Sequence, residues 1–517
     1  MPPSSVEKKM NTSDEDLSGS GRQPRRSRSL YPPAVANPFE HKTQFGARDW
    51  ILTILLGLVL VPVRTVCLVL LFLFIWPVAT FATIGRHTRS IWPIPTWKRN
   101  LTIPPLKFLL QAVIFLMGFL VKVRGKRASW QEAPLLVAAP HTTFFDSIVC
   151  IVAGLPSVVS SRGSMKIPGI RKIILSTQPV LVNRGDPNSR QTTRKEILRR
   201  VKAGRKWPQI LIFPEGVCTN GSCLVTFKLG AFTPGVPVQP VLIRFPNSLD
   251  TVTWTWQGFS SFQVIALTMS QLFTRMTIEF MPVYTPDREE REDPVLFANS
   301  VRINMANALG VPVTDDAYED CKLMISAGEL KLPMEAGLMQ FTKISQKLMI
   351  DWNNIHRCLD EYAAIAAASK GGKVNIEEFA TYLKFPVSKP LTQLFTLFDR
   401  NNDGSIDFRE YVIGLAVLCH PDDTKKILQM SFQLFDTDQD GYITKEELTS
   451  ILRAAFGVPN LDTSKLFREI AGPQAEYISY KTFMKFGLKH PIYAKLFSIY
   501  LDLQASQIYS FPDTVEV

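Results

Sequence analysis

The chain has 517 residues and a formal net charge of +12, with 58 Lys and Arg against 46 Asp and Glu. That length exceeds one ordinary domain and points to two or three compact units, and the positive balance suits an anionic partner: nucleic acid, acidic lipid or a phosphorylated cofactor. Seven scattered cysteines (67, 150, 218, 223, 321, 358 and 419) form no C-x-x-C pair, which argues against a zinc site or a disulfide framework and for free thiols.

The first 48 residues are rich in Ser, Pro and Arg and poor in aromatics, the composition of a disordered basic tail. Residues 51–85, "ILTILLGLVLVPVRTVCLVLLFLFIWPVATFATIG", carry one charge, Arg64, close to Pro62. Thr65 to Ile84 gives 20 uncharged residues, enough for about 30 Å of helix and one bilayer span. The long polar tail ahead of this block argues against a cleaved signal peptide. Basic residues flank it on both sides: Arg22, Arg25, Arg26, Arg28, Lys42 and Arg48 before, Arg86, Arg89, Lys98, Arg99 and Lys107 after. Flanks of equal sign leave the positive-inside rule undecided. They favour a hairpin that bends at Pro62–Arg64 and returns to one anionic face over a single crossing. A second apolar run, Phe108–Val121, is shorter and suits an interface or a core cover. Residues 49–125 are therefore read as membrane-anchoring helices, with membrane phospholipid, and no nucleic acid, as the anionic partner.

From 126 to 305 short apolar runs alternate with helical patterns. "PLLVAAP" (134–140), "PVLVNR" (179–184), "PQILIFPEG" (208–216) and "VPVQPVLIRF" (236–245) read as buried strands. "DSIVCIVAG" and "SRQTTRKEILRRVKAG" read as helices, which makes an α/β layer domain. Within it, "APHTTFFDSIV" sets His141 and Asp146 in an H-x-x-x-x-D spacing just past a strand, where sites in α/β sheets collect. Asp146 is close enough to fix the imidazole tautomer and leave the other ring nitrogen free as a base. Alone the spacing is weak, since a core histidine satisfied by a carboxylate looks the same. Two other strand ends add weight. Arg184 in "VLVNRG" suits a phosphate clamp, and "FPEGVCTNGS" offers Glu215 as a hydroxyl acceptor and Gly216 for close backbone approach. Base, clamp and polar turn together suggest transfer to a hydroxyl on a phosphorylated substrate. Cys218 and Cys223 flank this turn and read as free buried thiols rather than covalent catalysts. "RKEILRRVKAGRK" (194–206) is equally a solvated helix face or a phosphate patch, and "TWTWQG" (253–258) reads as core or interface aromatics.

"TPDREEREDP" (285–294) reads as a loop, and 301–385 as helical. Two segments then fill the twelve-position calcium-loop pattern. "DRNNDGSIDFRE" (399–410) offers Asp399, Asn401, Asp403, the Ser405 carbonyl, Asp407 and a closing Glu410, with Gly404 at the sharp turn. "DTDQDGYITKEE" (436–447) offers Asp436, Asp438, Asp440, the Tyr442 carbonyl, Thr444 and Glu447 around Gly441. The loops begin 37 residues apart, and Ile406 and Ile443 sit where such loops make their short β contact, so the two are expected to pair with each other. "SKGGKVNIEEF" (369–379) and "GPQAEYISYKTF" (472–483) have the same rhythm without the leading carboxylates and read as degenerate hands. This divides the chain into a tail (1–48), membrane helices (49–125), an α/β domain (126–305), a helical linker with a degenerate hand (306–385), the calcium-loop pair with a second degenerate hand (386–490) and a frayed tail (491–517).

The H-x-x-x-x-D block, the arginine block, the Glu-Gly block and the final strand "GVPVQP" (235–240) resemble those of the glycerolipid acyltransferases. With the upstream anchor and downstream calcium hands, the chain after residue 30 is similar to the lysophosphatidylcholine acyltransferases. The resemblance implies an α/β acyltransferase domain of the glycerol-3-phosphate acyltransferase type, an N-terminal membrane anchor and an all-α EF-hand domain. It implies acyl or acetyl transfer from a coenzyme A thioester to a lysophospholipid hydroxyl, through an oxyanion met by backbone amides or solvent, in the endoplasmic reticulum or Golgi. The role of base then falls on His141 with Asp146 orienting it. Phosphate binding falls on Arg184, and acceptor binding on Glu215, Gly216, Thr219 and Asn220. Val217 stands where Thr is more usual, and Asn183 where Ser is commoner. Val217 is the best support for a rival, a calcium-binding membrane adaptor with a weakened acyltransferase fold. A lipid hydrolase ranks last for want of a G-x-S-x-G elbow.

Overall fold

In the computed structural model the described residues are 37–85, 92–166, 170–183, 189–348, 352–369, 372–418, 421–456, 458 and 460–496. The tail to residue 36, Arg184 and the C-terminal tail beyond 496 lie outside them. Helix α1 (Ala47–Thr83) runs unbroken through Pro62 and Pro77, which corrects the expected bend at Pro62–Arg64. The sequence signal misled because Arg64 has a distant partner. Its guanidinium donates to the carbonyls of Met269 and Gln271, both at 2.6 Å, and of Leu272 at 2.7 Å. A charge satisfied in this way need not break an apolar helix, and neighbouring elements let such a helix tolerate proline. Helix α2 (Thr96–Leu116) packs on α1 through Ile75, Ala79, Leu106 and Leu110, so the chain reverses after residue 83. Among the described residues α1 is the one helix long and apolar enough to cross a membrane.

The next elements, in chain order, are β1 (Phe119–Arg124), β2 (Leu135–Ala139), α3 (Ile148–Val152), β3 (Ser157–Ser161), α4 (Ile170–Ser176), β4 (Val180–Val182), α5 (Ser189–Lys202), β5 (Ile210–Ile212), β6 (Val238–Arg244), α6 (Ser261–Met269), β7 (Thr274–Phe280), α7 (Arg288–Glu292) and α8 (Pro294–Leu309). The seven strands form one sheet in the order β1-β7-β6-β2-β5-β3-β4. Every pairing is parallel except β6 with β7. All five residues of the central strand β2 are buried. Leu135, Val137 and Ala139 join one core with Phe297, Val301 and Met305 of α8, while Leu136 and Ala138 face the other with Val149 of α3 and Val264 of α6. Burial on both faces is why the strand reads as a continuous apolar run rather than an alternating one. The region read as a loop holds α7, whose start is capped by Asp287, its side chain accepting the Glu290 amide at 2.8 Å.

The C-terminal region is helical: α9 (Tyr318–Glu329), α10 (Phe341–Leu348), α11 (Trp352–Ile365), α12 (Ile376–Leu383), α13 (Lys389–Phe398), α14 (Phe408–Leu418), α15 (Pro421–Phe435), α16 (Lys445–Phe456), α17 (Ser464–Ala471) and α18 (Tyr480–Lys489). The calcium loops lie between α13 and α14 and between α15 and α16, but they do not pair with each other. Ile406 of the first exchanges both backbone hydrogen bonds with Val374 of the degenerate hand before it, at 2.8 and 2.9 Å. In the second, β8 (Tyr442–Thr444) pairs antiparallel with β9 (Tyr477–Ser479) of the degenerate hand after it. The contact requires a strand-forming apolar residue, not ligands, so Val374 and Ile478 serve although their loops lack the carboxylates.

Candidate active site

His141 lies two residues past the end of β2, after Pro140, at the carboxyl edge of the sheet. Its Nδ1 lies 2.8 Å from Oδ2 of Asp146. The spacing between them has a local cause. Thr143 caps a short 3-10 turn, Phe144–Ser147, and Asp146, third in that turn, folds back so that Oδ2 also accepts the amides of Thr142 at 2.7 Å and Thr143 at 3.0 Å. Asp146 is fully buried, and its other oxygen has no hydrogen-bond partner among the described residues. The imidazole stacks on Phe213 with centroids 4.5 Å apart and keeps 21% of its side chain exposed. Its Nε2 meets Sγ of Cys218 at 3.7 Å. Burial opposes the imidazolium, yet Cys218 and Asp146 more than offset it and hold the His141 pKa well above its usual value.

The segment after β5, from Phe213 to Gly221, grips His141 by its main chain. Oε2 of Glu215 accepts the His141 amide at 2.6 Å, and the Thr219 amide donates to the His141 carbonyl at 2.8 Å. Oε1 of Glu215 accepts the Val225 amide at 3.4 Å. Glu215 is fully buried, and burial pushes its pKa up to about 7 against the pull of those two amides. Both of its oxygens thus hold backbone groups, and Glu215 positions the main chain around His141. Asn220 is likewise engaged elsewhere. Its side-chain amide donates to the carbonyls of Asn37 at 3.0 Å and Glu40 at 2.9 Å, and its backbone amide to Pro38 at 2.8 Å. Thr219 is buried, with its hydroxyl accepting the Gly221 amide at 3.3 Å. Gly216 has φ +71°, and a Cβ there would press on the Lys228 side chain at 2.9 Å, so its close approach is to Lys228. The sheet ends bring His141, Asp146 and the Glu215 turn together, while Arg184 lies outside the described residues.

Two participants were missed by sequence reasoning. Cys218 is half-exposed and faces the imidazole rather than lying inert in the core. The other is the strap 37–40, expected to be disordered tail. Phe39 is 1% exposed and packs with Val225, Cys321 and Met324, and Val217 packs against the same cluster. An apolar residue at 217 therefore has a packing partner. In the basic helix α5, Arg200 is buried over the Trp207 ring at 4.1 Å and donates to Ser157 at 3.2 Å, whereas Arg194, Lys195 and Lys202 are exposed.

The calcium loops have the form their donor set requires. Gly404 and Gly441 have φ +80° and +85°. One carboxylate oxygen from each of Asp436, Asp438 and Asp440 lies within 4.8 Å of the others. Glu410 and Glu447, at the twelfth positions, fold back to accept amides of their own loops, from Asp407 at 3.0 Å and Thr444 at 2.8 Å. Converging oxygens of this kind suit a hard cation that takes six to eight of them.

Residues 120–244 match the acyltransferase family model, and 391–412 and 427–455 match EF-hand models. The chain is 65% identical over 489 residues to lysophosphatidylcholine acyltransferase 2B of Rattus norvegicus, covering 95% of each. It is 58% identical to lysophosphatidylcholine acyltransferase 2 of Homo sapiens, covering 95% of this chain and 90% of that one.

The chain belongs to the lysophosphatidylcholine acyltransferase family.

More distant in the same family, lysophosphatidylcholine acyltransferase 1 of Mus musculus is 40% identical, with 91% of this chain and 88% of that one covered. As a member of the lysophosphatidylcholine acyltransferases this protein is an acyltransferase carrying EF-hands. The acyltransferase match spans β1 to β6 and includes His141, Asp146, Glu215 and Cys218.

Proposed function

We propose that this protein moves an acyl or acetyl group from a coenzyme A thioester to the free hydroxyl of a lysophospholipid, lysophosphatidylcholine or its alkyl-ether counterpart lyso-PAF. The single observation that carries the mechanism is the His141–Asp146 pair at the carboxyl edge of the sheet, with Nδ1 held at 2.8 Å, Nε2 beside Cys218 Sγ at 3.7 Å and 21% of the His141 side chain exposed. Nε2 takes the proton of the acceptor hydroxyl as its oxygen attacks the thioester carbonyl carbon. The carbon–sulfur bond to coenzyme A then breaks, and the proton passes from His141 to the departing sulfur. Asp146 holds the tautomer and stabilises the transient imidazolium. Glu215 and Thr219 fix the main chain of residue 141, and Arg184 is assigned the acceptor or donor phosphate. Calcium is assigned to Asp399, Asn401, Asp403, Ser405, Asp407 and Glu410, and to Asp436, Asp438, Asp440, Tyr442, Thr444 and Glu447, where it supplies charge to close each loop. Helix α1 anchors the enzyme in the membrane of the endoplasmic reticulum or Golgi.

The test measures label transfer from acetyl- and palmitoyl-coenzyme A to lysophosphatidylcholine in membranes bearing wild type or His141→Ala. A general base contributes about 10²–10⁴-fold, so a loss of that size is expected. Equal activity in the two removes His141 as the base and the proposed chemistry with it.

A further inference from the structure

Cys218 stands where a nucleophile would. Its Sγ is 3.7 Å from Nε2 of His141, whose Nδ1 is 2.8 Å from the buried carboxylate of Asp146. Thiol, imidazole and carboxylate in this order form the nucleophile–base–orienter arrangement that activates cysteine on several unrelated folds. The loop makes this placement specific. Gly216 and Gly221, with φ +71° and +74°, bracket the turn. Val217 goes into the cluster around Phe39, and Thr219 is buried with its amide on the His141 carbonyl. With its neighbours pinned inward, Cys218 is left facing the ring. Its half-exposure also leaves it open to a substrate that reaches His141.

We propose that Cys218 accepts the acyl group from the donor thioester and becomes an S-acyl cysteine. This rests on the reading of the site as a thioester-dependent acyltransferase. The acceptor hydroxyl has to come to Nε2, and the thioester carbon must sit about 3–3.5 Å from the attacking atom. With no acceptor bound, Sγ is the nucleophile at that station. The step balances within the site. The Sγ proton passes to Nε2, the sulfur attacks the thioester carbon, the bond from that carbon to the coenzyme A sulfur breaks, and His141 returns the proton to coenzyme A. One thioester replaces another, so no oxidant or further reactant enters.

The experiment uses the full chain in detergent micelles or native membranes. Radiolabelled acetyl- and palmitoyl-coenzyme A are added without acceptor, the reaction is quenched in acid, and the protein is treated with neutral hydroxylamine, which cleaves thioesters and spares oxygen esters. Expected is hydroxylamine-labile label on the peptide containing Cys218, reduced at least tenfold in His141→Ala. In Cys218→Ser the labile label is lost, and any label remaining is hydroxylamine-resistant, a change that a merely structural cysteine would not produce. Phospholipid formation is measured in parallel in the wild type. Product without labile label on Cys218 overturns the proposal and leaves the acyltransferase reading intact. Label without phospholipid product upholds the thiol chemistry and sinks that reading, and neither signal sinks both.

Discussion

Replacing Asp146 with Asn separates a relay from a buried ion pair. In the wild type Oδ2 of Asp146 receives the imidazole Nδ1 and the amides of Thr142 and Thr143. Asparagine still offers one oxygen to the two amides, and it removes the cost of holding a charge in a fully buried position. The net stability change is therefore small, about 1 kcal/mol or about 2–4 °C in melting temperature. Catalysis has no such compensation. Turned to keep those amides, the neutral asparagine oxygen holds Nδ1 more weakly than the carboxylate does, and the imidazolium that forms during transfer loses its counter-charge. Together these cost about 3–5 kcal/mol of barrier, or about 10²–10⁴-fold in kcat. The pH profile adds a sign. Burial lowers the His141 pKa while Cys218 and Asp146 raise it to a net elevated position, so the base form appears only as pH rises through that elevated value. Removing the Asp146 charge moves the acid limb of kcat/KM to lower pH. Initial rates of phospholipid formation across pH, with a melting curve on each sample, give both numbers. A fall of less than about tenfold, or an acid limb that moves upward, refutes the relay.

Glu215→Gln tests the buried turn. The folded-state pKa of about 7 lies above the ordinary 4.5, so stability is full below about pH 4.5, declines by about 3 kcal/mol as pH rises to about 7, and stays reduced above it. The variant should flatten that decline between pH 5 and pH 8 in melting experiments, and an unchanged slope contradicts the assignment. Arg64→Leu should lower stability by about 3 kcal/mol or more, because three carbonyls near the end of α6 lose a charged donor. A melting temperature within a degree of wild type in the same detergent speaks against that docking. Glu410→Gln should weaken the first calcium loop by at least tenfold and leave the second within about twofold, with a Hill coefficient near 1 in the wild type. Each loop pairs with a hand lacking the leading carboxylates, so calorimetry showing positive cooperativity would contradict the independence of the sites.

What the sequence revealed was local, and what it hid was tertiary. The H-x-x-x-x-D spacing, the Glu-Gly turn and both calcium loops lie within a dozen residues each, so pattern reading reaches them. The bend assigned to Pro62–Arg64 failed because the partners of Arg64 are Met269, Gln271 and Leu272, some 205–208 residues away. Strand β1 was hidden at the end of an apolar run taken for an interface segment, and only its pairing with β7 gives it a strand partner. The calcium loops were matched to each other because ligands are conspicuous. The backbone bridge that decides pairing is made by Val374 and Ile478, which carry no chemistry of their own. Glu215 shows the same asymmetry at the site. A carboxylate beside a glycine at a strand end invites a substrate, while its bonds to two amides 10 and 74 residues away show only in the folded chain.

The turn from Glu215 to Asn220 also ties the His141 imidazole to helix α1. Residue 141 is held on both sides of its main chain by this turn, through Glu215 and the Thr219 amide. The next residue, Asn220, makes three hydrogen bonds to the strap at 37–40, which Phe39 fastens into its apolar pocket. Six residues separate Glu40 from the start of α1 at Ala47, a connection of at most about 20–25 Å. Arg64 and Thr53 attach α1 to the carboxyl end of α6. The imidazole is thus tied to the apolar helix along two routes, one through the strap and one through the sheet and α6. Under the proposed function, this registry sets the depth at which His141 meets the hydroxyl of an acceptor whose chains stay in the bilayer.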